Sequence, residues 1–300
     1  MLSPKDAIDG INERFGRHVG ARALHAKGRV CTAKFTATPE AARLTRAAHM
    51  QGDPVEARVR VSNGSGEPDS RDWEPDVRGL ATKFHLPDGS RTDISAQSVP
   101  GFPVKRPEDF VELVKATQPG LVGLRKMPVF VARHPRILSG MRASGRGLKP
   151  PASYATCTYY AIHAYKWIDA SGGERWVRYR WLPDAGDERI GVRDAKSRGR
   201  DYLQKEIEDR LSRGPARFTL ELEIAGEGDD PDDPTKNWPE DGERVAAGTL
   251  ELTGLADGGD ELVFDPMRLT DGIEPSGDPI LNYRPSAYSE SVERRMGGSG

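Results

Sequence analysis

The strongest constraint on the fold is a set of eight short segments in which β-branched or aromatic residues alternate with polar ones. They are RVCTAKFT from Arg29, EARVRVS from Glu56, GLATKFHL from Gly79, RTDISAQ from Arg91, TYYAIHAYKWID from Thr158, ERWVRYRWL from Glu174, ARFTLELEIA from Ala216 and AAGTLELTG from Ala246. A period of two sends alternate side chains to opposite faces of a strand. Pro87-Asp88-Gly89 and Ser171-Gly172-Gly173 separate neighbouring segments. Such residues close antiparallel hairpins, whereas a parallel crossover needs a dozen residues or more. An antiparallel barrel follows. Helical patterns run over Lys5 to Phe15, Pro107 to Ala116, Pro128 to Leu138 and Arg200 to Leu211, and a last one opens at Pro285. The expected class is therefore α+β.

A chain of 300 residues has room for one large domain or two ordinary ones. The best candidate linker is GEGDDPDDPTKNWPEDGER from Gly226, by its Pro, Gly and Asp content. Its Trp238 points the other way, because a solvated linker would leave an indole's large apolar surface in water. We expect a long loop wrapped over the barrel and one domain across residues 1–300.

Forty-four basic residues nearly balance 46 acidic ones, for a net charge of -2. That provides no broad attraction for nucleic acid or for an anionic membrane, so a small molecule is the expected partner. MLSPKDAIDGINERFG places acids where a signal peptide needs an apolar run, and no stretch is long enough to cross a bilayer. Cys31 and Cys157, each on an apparent strand, suggest buried reduced thiols rather than a disulfide framework or CxxC metal site. The expectation is a soluble, cytoplasmic protein.

Two groups of residues near the chain ends are individually weak signals. Arg22-Ala23-Leu24-His25-Ala26-Lys27-Gly28 precedes the first strand, but a lone histidine is more often structural than catalytic. Phe264-Asp265-Pro266 is followed by Gly272-Ile273-Glu274-Pro275-Ser276 and then by Asp278, Arg284 and Tyr288. Together with RGxAxKF at Arg78 to Phe84 and DPTKNWP at Asp233 to Pro239, they stand in the order and at about the spacing of catalase-family motifs. From about Phe15 onward the chain resembles that family, and within it the compact catalase-related peroxidase subgroup. The resemblance implies an eight-stranded antiparallel catalase-type barrel with surrounding helices. It also implies the absence of the N-terminal arm and C-terminal helical region of ordinary catalases.

By the same resemblance, Tyr288 is the phenolate ligand to the iron of haem b and Arg284 reinforces it. A free tyrosine keeps its proton until about pH 10, so a phenolate at neutral pH needs strong local cations. If the last helix opens at Pro285, Arg284 flanks that helix and reaches Tyr288 from outside it. Asp278 and His163 match positions that extend this contact into a hydrogen-bonded chain. Arg22, Arg60 and Arg295 match propionate-binding arginines. Arg295 lies seven residues after Tyr288, on the same helix face. His25 matches the distal acid/base, Ser62 the serine that holds its tautomer, and Phe102 and Phe110 the aromatics lining the distal pocket.

The chain departs from the family at Ala96-Gln97-Ser98-Val99-Pro100, where Gln97 stands for the distal asparagine, and at Val292, which stands for a histidine near the haem carboxylates. An added methylene changes the amide's reach, and a displacement of about 1 Å near a reacting atom costs about 100-fold. The expected activity is a haem-dependent peroxidase that uses hydrogen peroxide or organic hydroperoxides to oxidise a small-molecule reductant, with weak catalase turnover. A true catalase, an allene-oxide-synthase-like isomerase and a non-catalytic haem-binding protein are the alternatives. A monomer or small homo-oligomer such as a dimer is expected.

Overall fold

The computed structural model describes residues 2–135, 137, 145–259 and 261–297. Eight strands close into an antiparallel barrel: β1 (Gly28–Ala37), β2 (Val55–Asn63), β3 (Arg78–His85), β4 (Arg91–Gln97), β5 (Tyr159–Ile168), β6 (Glu174–Pro183), β7 (Ala216–Ile224) and β8 (Arg244–Leu255). Sequential neighbours pair, β8 returns to β1, and the pairing of Gln97 with Tyr160 joins β4 to β5. Closure leaves no open sheet edge within the ring. A ninth strand, β9 (Ile273–Pro275), adds to β5. It was not anticipated, because three residues carry no readable alternation.

The β3–β4 hairpin turns as its sequence dictates. Gly89 takes a positive φ of 83°, and the Asp88 carboxylate accepts from the backbone N–H of Ser90 at 2.8 Å. Inside the barrel Phe35 meets Phe84 and Trp181 edge-on, at ring-centroid distances of 5.2 and 6.1 Å. Val59, Val61, Leu80, Ile94, Ala96 and Tyr159 belong to the same interior core. Their sequence neighbours face outward, and on β2 to β5 that outer face forms one wall of a cavity.

The helices are α1 (Pro4–Phe15), α2 (Pro39–Leu44), α3 (Pro107–Ala116), α4 (Leu121–Arg133), α5 (Val192–Ser197), α6 (Tyr202–Arg213) and α7 (Pro279–Met296). Two expected boundaries are corrected. The helix expected from Pro128 begins seven residues earlier, at Leu121, with Pro128 inside it; residues 136 and 138 of the expected span lie outside the described residues. The last helix opens at Pro279 rather than Pro285. Asp278 caps it by accepting from the N–H groups of Ile280 and Leu281 at 2.8 and 3.3 Å, and Pro279 occupies the first helical position. Pro285 removes one backbone bond from the interior, a cost of about 3 kcal/mol that cap and packing must outweigh.

The 226–243 segment wraps the barrel as expected. Trp238 is buried beneath Arg178, whose guanidinium lies 4.4 Å from the indole centroid and donates to the carbonyls of Lys236 and Asp233. Both cysteines are free and buried; Cys157 follows a short 3-10 turn instead of lying on a strand.

Candidate active site

The cavity lies between the outer face of β2 to β5 and helices α1, α3 and α7, with a volume of about 740 Å³. Strand register explains how distant residues meet there. One rung crosses the sheet from Gly28 to Ser62, Gly79, Gln97 and Tyr160. Laterally paired residues share a face, so Ser62, Gly79 and Gln97 all open on the cavity. On α7 the stripe Ile280, Arg284, Ala287, Tyr288, Ser291, Val292 and Arg295 forms the opposite wall, at the i, i+3, i+4 spacing of one helix face. Ile8, Ile11 and Phe15 from α1, with Phe110 and Val114 from α3, supply apolar lining.

His25 lies outside any regular element and holds a φ of 55°, uniquely among the described non-glycine residues. Such a conformation costs on the order of 1–3 kcal/mol and persists only where the surroundings enforce it. The His25 N–H donates to the carbonyl of Gly64 and that of Ala26 to Ser65, both at 3.0 Å. The Gly64–Ser65 turn is itself held by Asp76, whose carboxylate accepts both its N–H groups at 2.9 and 3.0 Å. Burial raises the Asp76 carboxyl above its ordinary range, against the pull of Arg78 and those amides. On the ring, Nδ1 meets Ser62 Oγ at 3.0 Å. Burial first, then Arg60, Arg284 and Arg22, push the imidazole down to about 3, so it is neutral at physiological pH. The residue keeps intermediate accessibility and lines the cavity.

Behind this wall lies a buried polar network. Asp72 accepts from Lys27 Nζ, Asn63 Nδ2 and the Leu203 N–H, each at 2.8 Å. Asn63 in turn accepts from the Tyr154 hydroxyl at 2.8 Å. Asp72, Asn63 and Tyr154 are fully enclosed, so these bonds meet polar groups that water cannot reach.

On the opposite wall Arg284 Nη1 donates to the Tyr288 hydroxyl at 2.9 Å. Because α7 starts at Pro279, the two are an i, i+4 pair on one helix, not a flanking contact. Burial works to lower the Arg284 pKa, but Tyr288, Tyr165 and Asp278 together, with the hydrogen bond to Tyr288, raise it on balance. Nearby, His163 Nδ1 and Asp278 Oδ2 lie 2.5 Å apart, both buried. Burial, then Arg284, lower His163 to about 4. The expected continuous chain is thus two hydrogen-bonded pairs. Among the described residues His163 Nε2 has no hydrogen-bond partner, and Arg284 acts on this pair through its charge.

The remaining expected residues also line the cavity. Phe102 and Phe110 pack with ring centroids 5.0 Å apart. Gln97 turns its amide N–H groups onto the carbonyls of Gly101 and Val99, at 3.1 and 3.4 Å, and so pins the turn that leads to Phe102. Arg22 donates to the Leu262 carbonyl, Arg295 to that of Glu261 and Arg60 to that of Ala26. Arg22, Arg60 and Arg295 suit a ligand with anionic groups, and the apolar walls suit a large apolar body.

Sequence reasoning missed Gly79 and Asp76. A Cβ on Gly79 would stand 2.7 Å from Ser62 Oγ and 2.8 Å from His25 Nδ1, so only glycine admits that pair. The glycine of RGxAxKF was the available signal; nothing distinguishes Asp76 before folding.

The catalase family model matches residues 5–299. The chain is 45% identical to a catalase-related peroxidase of Mycolicibacterium paratuberculosis, over 99% of this chain and 96% of the relative. It is 31% identical to a catalase-related peroxidase of Synechococcus elongatus, over 99% and 90%. A fungal catalase structure superposes with a TM-score of 0.84 at 23% identity, over 97% of this chain and 62% of that one, which speaks to the fold alone. With the family model spanning nearly every residue and two relatives above 30% identity, the chain belongs to the catalase family.

Proposed function

We propose that this catalase-family oxidoreductase acts on peroxide as a haem-dependent peroxidase, reducing organic hydroperoxides and hydrogen peroxide while oxidising a small-molecule reductant. The observation that carries the reading is that His25 and Tyr288 line one cavity from opposite walls, each hydrogen-bonded to a partner that orients it. The cavity fits haem b. Its walls are mainly apolar, Arg22, Arg60 and Arg295 suit the two propionates, and Tyr288 with Arg284 suits a ferric iron. When bound, haem supplies the redox metal at which the O–O bond is cleaved.

The chain's own residues handle orientation and protons. In the tautomer that donates from Nδ1–H to Ser62 Oγ, 3.0 Å away, His25 Nε2 is left to take the proton of the hydroperoxide and return it to the departing oxygen. The depressed pKa keeps Nε2 able to accept that proton across the neutral range. Phe102, Phe110, Val111 and Val114 exclude water and accommodate an alkyl group. Overall, R–O–O–H takes up two electrons and two protons and yields R–OH and water, the electrons coming from the reductant.

The test is steady-state kinetics with hydrogen peroxide, tert-butyl hydroperoxide and cumene hydroperoxide, with and without a dye reductant. We expect larger specificity constants for the organic peroxides. The motive is Gln97, whose amide is committed to backbone carbonyls. Rapid oxygen release that a reductant cannot outcompete, with negligible turnover of the organic peroxides, would identify a true catalase instead.

A further inference from the structure

Among the described residues seven large hydrophobic side chains are exposed, and four of them lie on α4: Leu121, Val122, Leu124 and Val129. Leu121 and Leu124 are 71% and 72% exposed, and with Val122 and Val129 they group on one helix instead of scattering singly. The helix has two apolar faces. Phe130 and Gly123 are buried, and Phe130 packs in a cluster with Met127, Val131, Phe102 and Phe110. The other face points outward. Arg125 and Lys126 are exposed on it, and neither has an ion-pair partner among the described residues; Arg133 is paired with Glu112 at 2.8 Å.

Charge distinguishes this surface from the rest of the chain. The helix, Leu121–Arg133, carries Arg125, Lys126 and Arg133 and no Asp or Glu, within a protein whose net charge is only -2. Near-neutrality of the whole conceals a local excess of cations along α4, on the same helix as its exposed apolar side chains.

We infer that the outer face of α4 docks on a bilayer that carries anionic lipids. Leucine and valine side chains beside unpaired cations are what an interfacial helix needs: apolar area for the acyl boundary and positive charge for the headgroups. A second copy of the chain suits this face less well. An isologous contact would bring two copies of Arg125 and Lys126 into one interface, with no acid on the helix to offset them. A groove that engulfs a free basic helix is likewise disfavoured, because the inner face of α4 is already packed. The docking is peripheral and is compatible with the absence, among the described residues, of any helix long and apolar enough to span a membrane. Met127 on α4 lines the cavity, so docking would hold the cavity's helical wall beside the lipid. The inference does not depend on the peroxidase reading.

The experiment is vesicle flotation of the purified holoprotein, with phosphatidylglycerol–phosphatidylcholine vesicles compared with phosphatidylcholine alone, at low and high salt. We expect binding to the anionic vesicles, weakened by salt. Arg125→Gln with Lys126→Gln should weaken it by about 25-fold, at about fivefold per cation near the surface. Leu121→Ser with Leu124→Ser should weaken it at least as much. Both pairs are exposed, and unchanged circular dichroism and thermal melting would establish that each variant folds. Absence of binding to anionic vesicles, or binding that both double variants leave intact, would overturn the inference. So would a dimer on size exclusion that the leucine variant dissociates while no vesicle binding is seen, since the face would then be a subunit interface.

Discussion

The two walls of the cavity are built on different principles. On the α7 side, Arg284 and Tyr288 are four residues apart on one helix, and their contact follows from local geometry once the helix exists. On the barrel side, His25 belongs to no element. Its position depends on Ser62 across the β1–β2 pair, on the Gly64–Ser65 turn, on Asp76 beneath that turn and on the space that Gly79 leaves. A local device tolerates distant changes, whereas a tertiary one is exposed to every member that holds it. Perturbing the α7 side should therefore alter what the cavity binds, and perturbing the barrel side should alter what a bound peroxide undergoes.

The largest expected effect is on the α7 side. Tyr288→Phe keeps the ring and deletes the hydroxyl that accepts from Arg284; turnover should be lost, because that hydroxyl would be the metal's own ligand and even groups one contact removed from a metal are worth roughly 10- to 100-fold. The absorption spectrum of the reconstituted protein should lose its tyrosinate character. An unchanged spectrum with unchanged haem content would remove Tyr288 from the ligand role.

Next is His25→Ala, where we expect haem content to be retained and peroxide-dependent oxidation to fall by about 10²–10⁴. Stopped-flow mixing with peroxide provides the rate of the first step. A rate within about threefold of the parent would assign proton transfer to another group.

Gly79→Ala sharpens the comparison while keeping both His25 and Tyr288 in the chain. The added methyl must displace Ser62 Oγ or His25 Nδ1, and a shift approaching 1 Å should lower turnover by up to about 100-fold. Haem content should stay constant, because Tyr288 lies on the other wall. Loss of haem in this variant would show that the two walls are not independent.

The smallest effect on turnover concerns neither wall. His49 is buried against Phe84, with ring centroids 4.8 Å apart, and burial lowers its pKa to about 3. The native state refuses a proton that the unfolded chain accepts below about 6.5, so its contribution to stability is complete above that pH and is lost as pH falls towards 3. The slope is about 1.4 kcal/mol per pH unit from this group. Urea denaturation at successive pH values should show a shallower acid limb for His49→Leu than for the parent; equal slopes would place the acid sensitivity elsewhere.

How much of this was legible beforehand differs by element. The eight barrel strands were readable because alternation is a local property that burial of one face demands, and Pro87-Asp88-Gly89 announces its turn. The three-residue β9 and the short helices α2 and α5 were not, since too few residues carry a period. The start of α7 was misplaced because a proline ordinarily opens a helix, and here Pro285 lies seven positions inside one that Asp278 and Pro279 begin.

By itself the sequence determined the strand pattern, the hairpin turns, the order of the family motifs and, through helix spacing, the sharing of one face by Tyr288 and Arg295. Only the tertiary structure decided that Ser62, Gly79 and Gln97 occupy one rung, because register is set by pairing between strands that no single strand contains. It also decided that His25 is held in a left-handed conformation by Asp76 through an intervening turn. The physical reason is the same in both cases: hydrogen bonds between residues far apart in sequence acquire a geometry only after closure of the barrel has brought their backbones together.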